Sequence, residues 1–423
     1  MEPRPPAPAA PAIPTGEAGS EPPARRWLGG RAWPLWLLVA AVAVALRLTV
    51  AGYGSNYDLA AYREVAEIVH RGGNVYAETA KYNYAPAWFY LLGAFRWVAH
   101  RFANPALAFG YVVPAFLSLV DLALGAILLR RFGPVAALCF LFHPVSILIT
   151  GYHRQFGSLA LLVGFLSALA FESGREEAGG AWDGGLDGPG KARWAGVGAL
   201  GASLIAKHAL FAFPFWLAVR QRTRRVRLLV LFVPPALFLA SFLPYLGGGG
   251  ARGILDDVFL YKARFEIPLL GSWLPAIVVE DLPLLVSVLS TLAFLGALVA
   301  GAWIFERERP TRALLLYTAL LVAFAPGAAN QYLALVVPFV VVYRNPFTVL
   351  FTVVASLHLL IDRYGLHLAA LGHWVPAAAV GFPVQVALLL AAVLWVWKRD
   401  RILASLHALV ATLRERIRLF VGP

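Results

Sequence analysis

Asp58 is the first acidic side chain after the first long apolar run of the chain, within the stretch Ser55–Tyr62. An aromatic segment that ends in an X-Pro step, Tyr82–Pro86, follows it. At the edge of a dry cavity, an aspartate carboxylate can take the proton of an attacking hydroxyl as a general base. The alternative is an acid that is simply stabilised in the first turn of a helix capped by Ser55 or Asn56.

Two further groups of polar side chains interrupt apolar sequence. His153, Arg154 and Gln155 lie between two apolar runs, and Lys207 and His208 lie inside another. Ionisable side chains near or within a membrane usually face a cavity and a partner, which for Lys207 would be a substrate phosphate. The alternatives are a satisfied interfacial histidine for the first group and a lysine that snorkels to the surface for the second.

Two more groups of polar side chains lie further along the chain. Cations beside aromatic rings can bind a lipid phosphate, or they can form ion pairs within a solvated loop. Side-chain amides at the start of a span can hydrogen-bond a sugar, or they can cap a helix. The first group is Tyr261, Lys262 and Arg264, in the loop 247–281, and the second is Asn330 and Gln331.

The elements that must position these residues are transmembrane helices. Of the 423 residues, 60% are hydrophobic and only 14% are charged, whereas a soluble domain is nearer half apolar and a quarter charged. The net charge of +13 does not indicate nucleic-acid binding, because basic residues cluster in short loops as the positive-inside rule describes. The sequence predicts an all-α polytopic protein of a lipid bilayer, expected to be a bacterial plasma membrane.

Three regions are predicted along the chain: a tail over 1–32, a transmembrane region over 33–397, and a cytoplasmic amphipathic helix over 398–423. The tail is rich in Pro and Ala, which predicts a disordered cytoplasmic segment. In the first loop, helical spacing predicts an amphipathic helix over 59–69 and a short helix that begins at Pro86, both external and juxtamembrane. Hydropathy and charge together predict about 10–12 membrane segments. Both termini are expected to be cytoplasmic.

One segment conflicts with the charge rule. The loop 172–194 and the basic run Arg220–Arg227 both belong on the cytoplasmic side, yet a single span would separate them. A break at Lys207 resolves the conflict, because two short half-helices would then enter and leave on one face. Such broken helices persist only where they line a cavity or are buried in protein. A full span over 195–219 is the alternative.

The order of these motifs resembles the GT-C superfamily of integral-membrane glycosyltransferases, which use polyprenyl-phosphate sugars, and within it the mannosyltransferase-type members. Asp58 with Tyr62 is similar in position to the catalytic acid of the family's first external loop. Three short elements follow in the family's order. They are Gly73–Thr79 with Tyr82–Pro86, similar to "G-x-x-Y … Y-x-Y-x-P"; His143-Pro144 with Gly151–Gly157, similar to "N-P … G-H-G-Q-F-D"; and Asn330–Leu333 with Pro338, similar to "Q-Y … P".

The resemblance implies a glycosyltransferase with an external active site. It would move a hexose, such as mannose, with inversion from a polyprenyl-phosphate donor to an acceptor that the sequence does not specify. Asp58 would be the base. Lys207, Arg264 and Arg154 would hold phosphate and His153, Gln155 and Gln331 would orient the sugar, with Tyr62, Tyr82, Tyr84, His208, Tyr261, Lys262 and Asn330 completing the substrate-binding set.

The chain also departs from the family pattern. Only one acid is present where some members carry two, and Gly157 and Arg154 replace an acid and a glycine of the second element. No metal ligand is therefore assigned, although a divalent cation, Mg²⁺ or Mn²⁺, stays an open alternative. Two other functions remain compatible with the sequence. One is a transporter or flippase of a lipid-linked or anionic substrate, with its midplane site near Lys207, and the other is a scaffold that has lost its catalytic acids.

Overall fold

A computed structural model of the chain describes residues 33–54, 56–176, 190–260, 282–327, 329–362 and 364–398, and all regular structure in those ranges is helical. Five helices are long and apolar enough to cross a membrane, and a bent pair would make a sixth crossing. Four more apolar helices have 10–17 residues. The predicted all-α membrane protein is confirmed. The number of about 10–12 membrane segments, which comes from hydropathy and charge, stays a prediction. The tail 1–32 and the helix predicted at the C-terminus, from 399 on, lie outside the described residues.

We label the helices in chain order. The long apolar helices are α1 (Trp33–Ala51), α5 (Pro105–Phe132), α11 (Arg224–Ala240), α13 (Pro283–Ile304) and α18 (Ala377–Lys398). The first loop contains α2 (Tyr57–His70), α3 (Val75–Glu78) and α4 (Pro86–Ala99). The remaining helices are α6 (Pro134–Leu141), α7 (Pro144–Leu148), α8 (Gly157–Glu176), α9 (Gly190–Ala206), α10 (Phe213–Ala218), α12 (Gly250–Gly253), α14 (Pro310–Phe324), α15 (Leu333–Val342), α16 (Pro346–Ile361) and α17 (Ala369–Gly372).

Both helices predicted for the first loop are present. α2 begins after Asn56, whose side chain accepts a hydrogen bond from the backbone N–H of Leu59 at 3.1 Å. α4 begins at Pro86. Proline lacks a backbone N–H, and at the first position of a helix that N–H would have had no partner within the helix. Leu59, Tyr62 and Val65 are buried in one core with α4, as their helical spacing predicts. This apolar face holds the start of α2 against the rest of the protein.

The chain bends by 43° between α6 and α7, at His143-Pro144. Pro144 lacks a backbone N–H, so it starts a new helix rather than continuing α6. α7 runs into a π-helical turn, Ile149–His153, and Arg154 then adopts a left-handed backbone with φ of 55°. Pro144 therefore kinks the helical path at this point. The helical path is interrupted again between His153 and α8, which frees the intervening residues for other contacts.

Buried polar contacts mark the end of the bundle away from α2. The Glu172 carboxylate, near the end of α8, accepts hydrogen bonds from the Thr311 backbone and hydroxyl at 2.8 and 2.7 Å. It also forms an ion pair with Arg131 at the end of α5. Arg220 donates to the carbonyl of Phe305, just after α13, at 2.5 Å. We call this end, where α5, α8 and α13 finish and α14 begins, the basic end.

From the basic end, α9 runs antiparallel to α8. The Ser167 hydroxyl donates to the carbonyl of Gly196 at 2.7 Å, and the Ser203 hydroxyl donates to that of Ala160 at 2.8 Å. Residues later in α9 therefore lie beside residues earlier in α8. The helix ends at Ala206, far along the bundle towards α2.

Beyond Lys207 the chain turns back. Leu210 packs against Gly164, which lies about one helical turn nearer the basic end than residue 160, and Arg220 then reaches the basic end itself. The segment 190–220 is therefore a re-entrant hairpin with Lys207 at its apex. The predicted break is confirmed, and the full-span alternative for 195–219 is wrong, because both arms of the segment meet α8 from the same end.

A buried ion pair, which the sequence interpretation did not anticipate, joins α1 to α5. Arg47 Nε donates to Asp121 Oδ2 at 2.9 Å, and both side chains are 1% exposed. The same guanidinium donates to the Leu141 carbonyl and to Ser146 Oγ, each at 2.9 Å. The Thr150 hydroxyl donates to Asp121 Oδ2 at 2.7 Å. The ion pair therefore fixes the bent α6–α7 segment against two spans.

Candidate functional site

Asp58 lies in the first turn of α2, which is not one of the candidate spans. Asn56 caps that helix through its side-chain oxygen, and its amide nitrogen donates to Asp58 Oδ2 at 3.4 Å and to the His153 carbonyl at 3.3 Å. The helix-cap interpretation therefore describes the local structure correctly. The same cap also places the Asp58 carboxyl beside the turn that follows α7.

Gln155 joins Asp58 to Lys207. Gln155 Oε1 accepts a hydrogen bond from Lys207 Nζ at 3.4 Å. An amide can donate to a carboxylate through nitrogen while it accepts from an ammonium through oxygen. Burial raises the pKa of the Asp58 carboxyl, and the neighbouring Gln155 side chain and the charge of Lys207 oppose that rise. The carboxylate is consequently more basic than an exposed aspartate.

Lys207 presents a buried ammonium at the apex of the hairpin. Its side chain is 4% exposed, and within the described residues its Nζ makes one hydrogen bond, to Gln155. Nζ lies 5.3 Å from the ring centroid of Tyr84 and 4.9 Å from that of Phe156. Aromatic faces stabilise a cation but do not use up its N–H donors. The apex can therefore offer both charge and hydrogen bonds to an anion.

Phe156 is the centre of an aromatic cluster. Its ring stacks on Trp88 with 4.0 Å between centroids, and it meets Tyr84 edge-on at 4.7 Å. Tyr62 packs against Trp88 at 5.5 Å. The cluster fastens α2 and α4 onto the turn before α8 and so holds the neighbouring Gln155 in place. Sequence interpretation selected Tyr62 and Tyr84 as site residues but missed Trp88 and Phe156. The available signal was the position of Phe156, which directly follows Gln155 in the sequence.

A second polar group lies beyond His153, and we call His153, Asn330, His358 and Asp362 the histidine cluster. Asn330 Nδ2 donates to Asp362 Oδ2 and Asn330 Oδ1 pairs with His358 Nε2, both at 2.9 Å. His153 is 6% exposed and interacts electrostatically with Asp362 and His358. Within the described chain, His153 Nε2 and the neighbouring Gln331 Oε1 are buried without a hydrogen-bond partner.

Sequence interpretation selected His153, Asn330 and Gln331 but missed the other two members of the histidine cluster. His358 is the last polar residue of α16, and Asp362 follows that helix directly. Their spacing of four residues puts them on one side of a helix end. That spacing, at the end of an otherwise apolar run, was the signal that could have found them.

Arg154 makes structural contacts with the backbone, and its role in holding phosphate stays a prediction. Its Nε donates to the Gly110 carbonyl at 3.1 Å and its Nη1 to the Tyr152 carbonyl at 2.7 Å. Its Nη2 donates to the carbonyls of Ala51 and Gly54 at 2.8 and 3.1 Å. The side chain is 2% exposed. Backbone oxygens of α1, α5 and its own turn therefore occupy the guanidinium.

We expect Arg154→Lys to lower stability without a specific loss of anion binding. A lysine cannot reproduce the planar fork, and each buried carbonyl left unpaired costs about 1–3 kcal/mol. Thermal unfolding in detergent measures the loss, with Arg252→Lys as the control because Arg252 is 89% exposed. A variant with unchanged unfolding and weaker phosphate binding would instead support the prediction that Arg154 holds phosphate.

Two other predicted contacts are now placed. The Tyr82 hydroxyl donates to the Ala85 carbonyl at 2.6 Å and accepts from the Phe89 N–H at 3.1 Å, so this side chain shapes the loop before α4. That Tyr82 contacts substrate stays a prediction. His208 lies beside Lys207, and its ring is 6.5 Å from that of Tyr84. Three further predicted residues, Tyr261, Lys262 and Arg264, lie outside the described residues.

The residues around Asp58 do not form a suitable donor set for a divalent cation. Hard cations such as Mg²⁺ bind several oxygen ligands, usually with more than one carboxylate or with substrate phosphates. Here a single carboxylate lies near the ammonium of Lys207, and in the described ranges no three His, Cys, Asp or Glu side chains are grouped to hold a metal ion. We therefore derive no step through Mg²⁺ or Mn²⁺.

The fold and the site define the class of protein: a helical integral membrane protein with an acid–amide–ammonium site beside the two helices of its first loop. Beyond that class, comparison adds no identity. No protein-family model, curated protein or solved structure matches the chain.

Proposed function

We propose that this protein is a membrane glycosyltransferase that moves a hexose, such as mannose, from a polyprenyl-phosphate donor to a hydroxyl acceptor. The observation that supports the proposal is the connected set Asp58, Gln155 and Lys207. It places a carboxylate of raised pKa and a buried cation one amide apart. Transfer from a lipid phosphate needs those two groups, a base for the nucleophile and a cation for the leaving group.

The reaction breaks one bond and forms one bond at the anomeric carbon. The acceptor oxygen attacks that carbon while Asp58 accepts its proton, and the bond between the carbon and the phosphate oxygen breaks. The electron pair of that bond leaves with the polyprenyl phosphate, whose negative charge Lys207 stabilises. Because attack and departure occur on opposite faces, the anomeric configuration inverts. Gln155 keeps the base and the cation at a fixed separation.

A transporter or flippase of an anionic lipid is the second candidate. The re-entrant hairpin favours it, since broken helices that present a charged apex inside the membrane are typical of transport sites. Such a protein would move a lipid-linked phosphate past Lys207 without cleaving it. The Asp58 carboxyl distinguishes the two functions, because transport of a phosphate gains nothing from a neighbouring base.

A reconstituted assay tests the proposal. Purified protein in liposomes is given a panel of polyprenyl-phosphate hexoses with radiolabelled sugar, with and without EDTA, and both new glycosides and released sugar are counted. Release in the absence of an acceptor also counts as transfer, because water can replace the acceptor hydroxyl. Donor that crosses the bilayer intact and is never cleaved would contradict the proposal and favour the transporter.

We expect Lys207→Met to weaken donor use and to shift the pH profile. Loss of a charged hydrogen bond worth about 1.5–3 kcal/mol raises KM for the donor by roughly 10- to 150-fold. Removing the cation also removes a charge that lowers the pKa of Asp58. The carboxylate is then protonated at a higher pH, so the acidic limb of the kcat/KM profile shifts to higher pH.

Lys81→Met is the matched control for that variant. Lys81 is a lysine of the same loop region as Asp58, but it is exposed and pairs with Glu64. Its removal should leave both KM and the acidic limb in place. If Lys207→Met behaves like the control in both measurements, the assignment of the phosphate site is wrong.

A further inference from the structure

We infer that the histidine cluster is an acceptor subsite, which binds hydroxyl groups of a carbohydrate ring beside Asp58. The role of the histidine cluster as the acceptor subsite rests on the proposed transferase function. The binding of a carbohydrate to the histidine cluster does not depend on that function and can be measured separately.

The unsatisfied polar atoms of the histidine cluster specify the chemistry of the ligand. His153 Nε2 and Oε1 of Gln331, the residue that follows Asn330, are buried without partners in the described chain, and burial of an unpaired polar atom is unfavourable. A sugar hydroxyl both donates and accepts, so it can satisfy either atom. An apolar ligand would satisfy neither. An anionic ligand would meet the carboxylate of Asp362.

The other members of the histidine cluster hold its geometry. Both ends of the Asn330 amide are occupied, by Asp362 on nitrogen and by His358 on oxygen. His358 Nε2 must therefore carry its proton, since the oxygen of Asn330 can only accept. The ring of Phe382 packs edge-on against His358 at 4.9 Å. Donors and acceptors that are fixed before the ligand arrives are what selective carbohydrate binding requires.

The position of the histidine cluster relative to Asp58 assigns it to the acceptor. Asn56 hydrogen-bonds both the Asp58 carboxyl and the His153 carbonyl, so the turn that carries His153 lies beside the proposed base. The attacking hydroxyl must reach that base to give up its proton. We therefore assign the rest of the acceptor to the histidine cluster.

Direct binding measurements test the inference with the full-length protein in nanodiscs. The probes are methyl α-mannopyranoside and methyl α-glucopyranoside, titrated by saturation-transfer NMR, and a polyprenyl-phosphate mannose, titrated separately. Wild type should bind a glycoside with a measurable Kd. Gln331→Leu and His153→Phe should raise that Kd about tenfold or more, as expected for one lost hydrogen bond to a buried partner.

His100→Phe is the matched control, because His100 is exposed and stacks on His70 away from the histidine cluster. The Gln331 variant keeps the test independent of folding, since the Gln331 side chain is only partly buried. Unchanged glycoside binding in both cluster variants overturns the inference. So does an equal loss of donor binding, since the cluster would then contact the sugar of the donor. Glycoside binding without transfer from any donor refutes the proposed function and leaves the carbohydrate site standing.

Discussion

Asp58→Asn should lose transfer by a factor of about 10² to 10⁴, the range that general-base catalysis usually contributes. Asparagine has nearly the same shape and can lie beside Gln155 in the same way, but it cannot take a proton from the acceptor. Donor binding should persist, because Lys207 and its aromatic neighbours are unchanged. The measurement compares initial rates of sugar transfer in liposomes with Kd for the donor.

The control for the Asp58 variant is Asp256→Asn. Asp256 is half exposed, at 50%, and forms a pair with Arg252 on the surface, so its neutralisation should change neither rate nor binding. Thermal unfolding of both variants separates a lost base from a lost fold. An Asp58→Asn protein that is folded and transfers sugar at the wild-type rate would show that the carboxyl only caps α2.

Asp121→Asn should have the largest effect on stability. The ion pair with Arg47 is 1% exposed on both sides, and removing one partner of such a pair costs about 3–5 kcal/mol, because a charge is left buried without compensation. Thermal unfolding in a fixed detergent measures this change. The double variant Arg47→Met with Asp121→Leu should recover much of the loss, because a buried ion pair can often be replaced by apolar side chains.

A surface pair provides the comparison for that experiment. Glu67 and Arg96 join α2 to α4 with their side chains 47% and 23% exposed, and an exposed pair of this kind contributes under about 1 kcal/mol. Glu67→Gln should therefore unfold close to wild type. If Asp121→Asn does the same, the Arg47–Asp121 contact does not fix the α6–α7 bend as described.

The fold was more predictable from sequence than the site. Proline marks the start of α4 and the bend before α7, and the basic run after the hairpin already favoured a break at Lys207. These signals are local, so they can be read along the chain. The contacts of the site are not local: Asn56 reaches His153 across 97 positions and Lys207 reaches Gln155 across 52. The sequence indicated which side chains were unusual, but not which of them meet.

Arg154 shows why the contacts of a polar side chain in an apolar protein cannot be read from the sequence. Its partners are carbonyl groups of Ala51, Gly54 and Gly110, and a carbonyl is present at every position whatever the side chain. Nothing in the amino-acid sequence marks such an acceptor. The ion pair of Arg47 was missed for a related reason, because its partner lies on another span and no spacing rule relates the two residues.

The re-entrant hairpin also has an electrostatic consequence of its own. α9 stops at Ala206, and Lys207 directly follows its last turn. The aligned peptide dipoles of a helix give its C-terminus a partial negative charge of about half an electron, which favours a cation by roughly 0.3–1 kcal/mol and by up to about 2 when partly buried. A helix that crossed the bilayer would place this partial charge in water. By ending early, α9 delivers it to Lys207, so the protein itself helps to keep that ammonium charged before any phosphate binds.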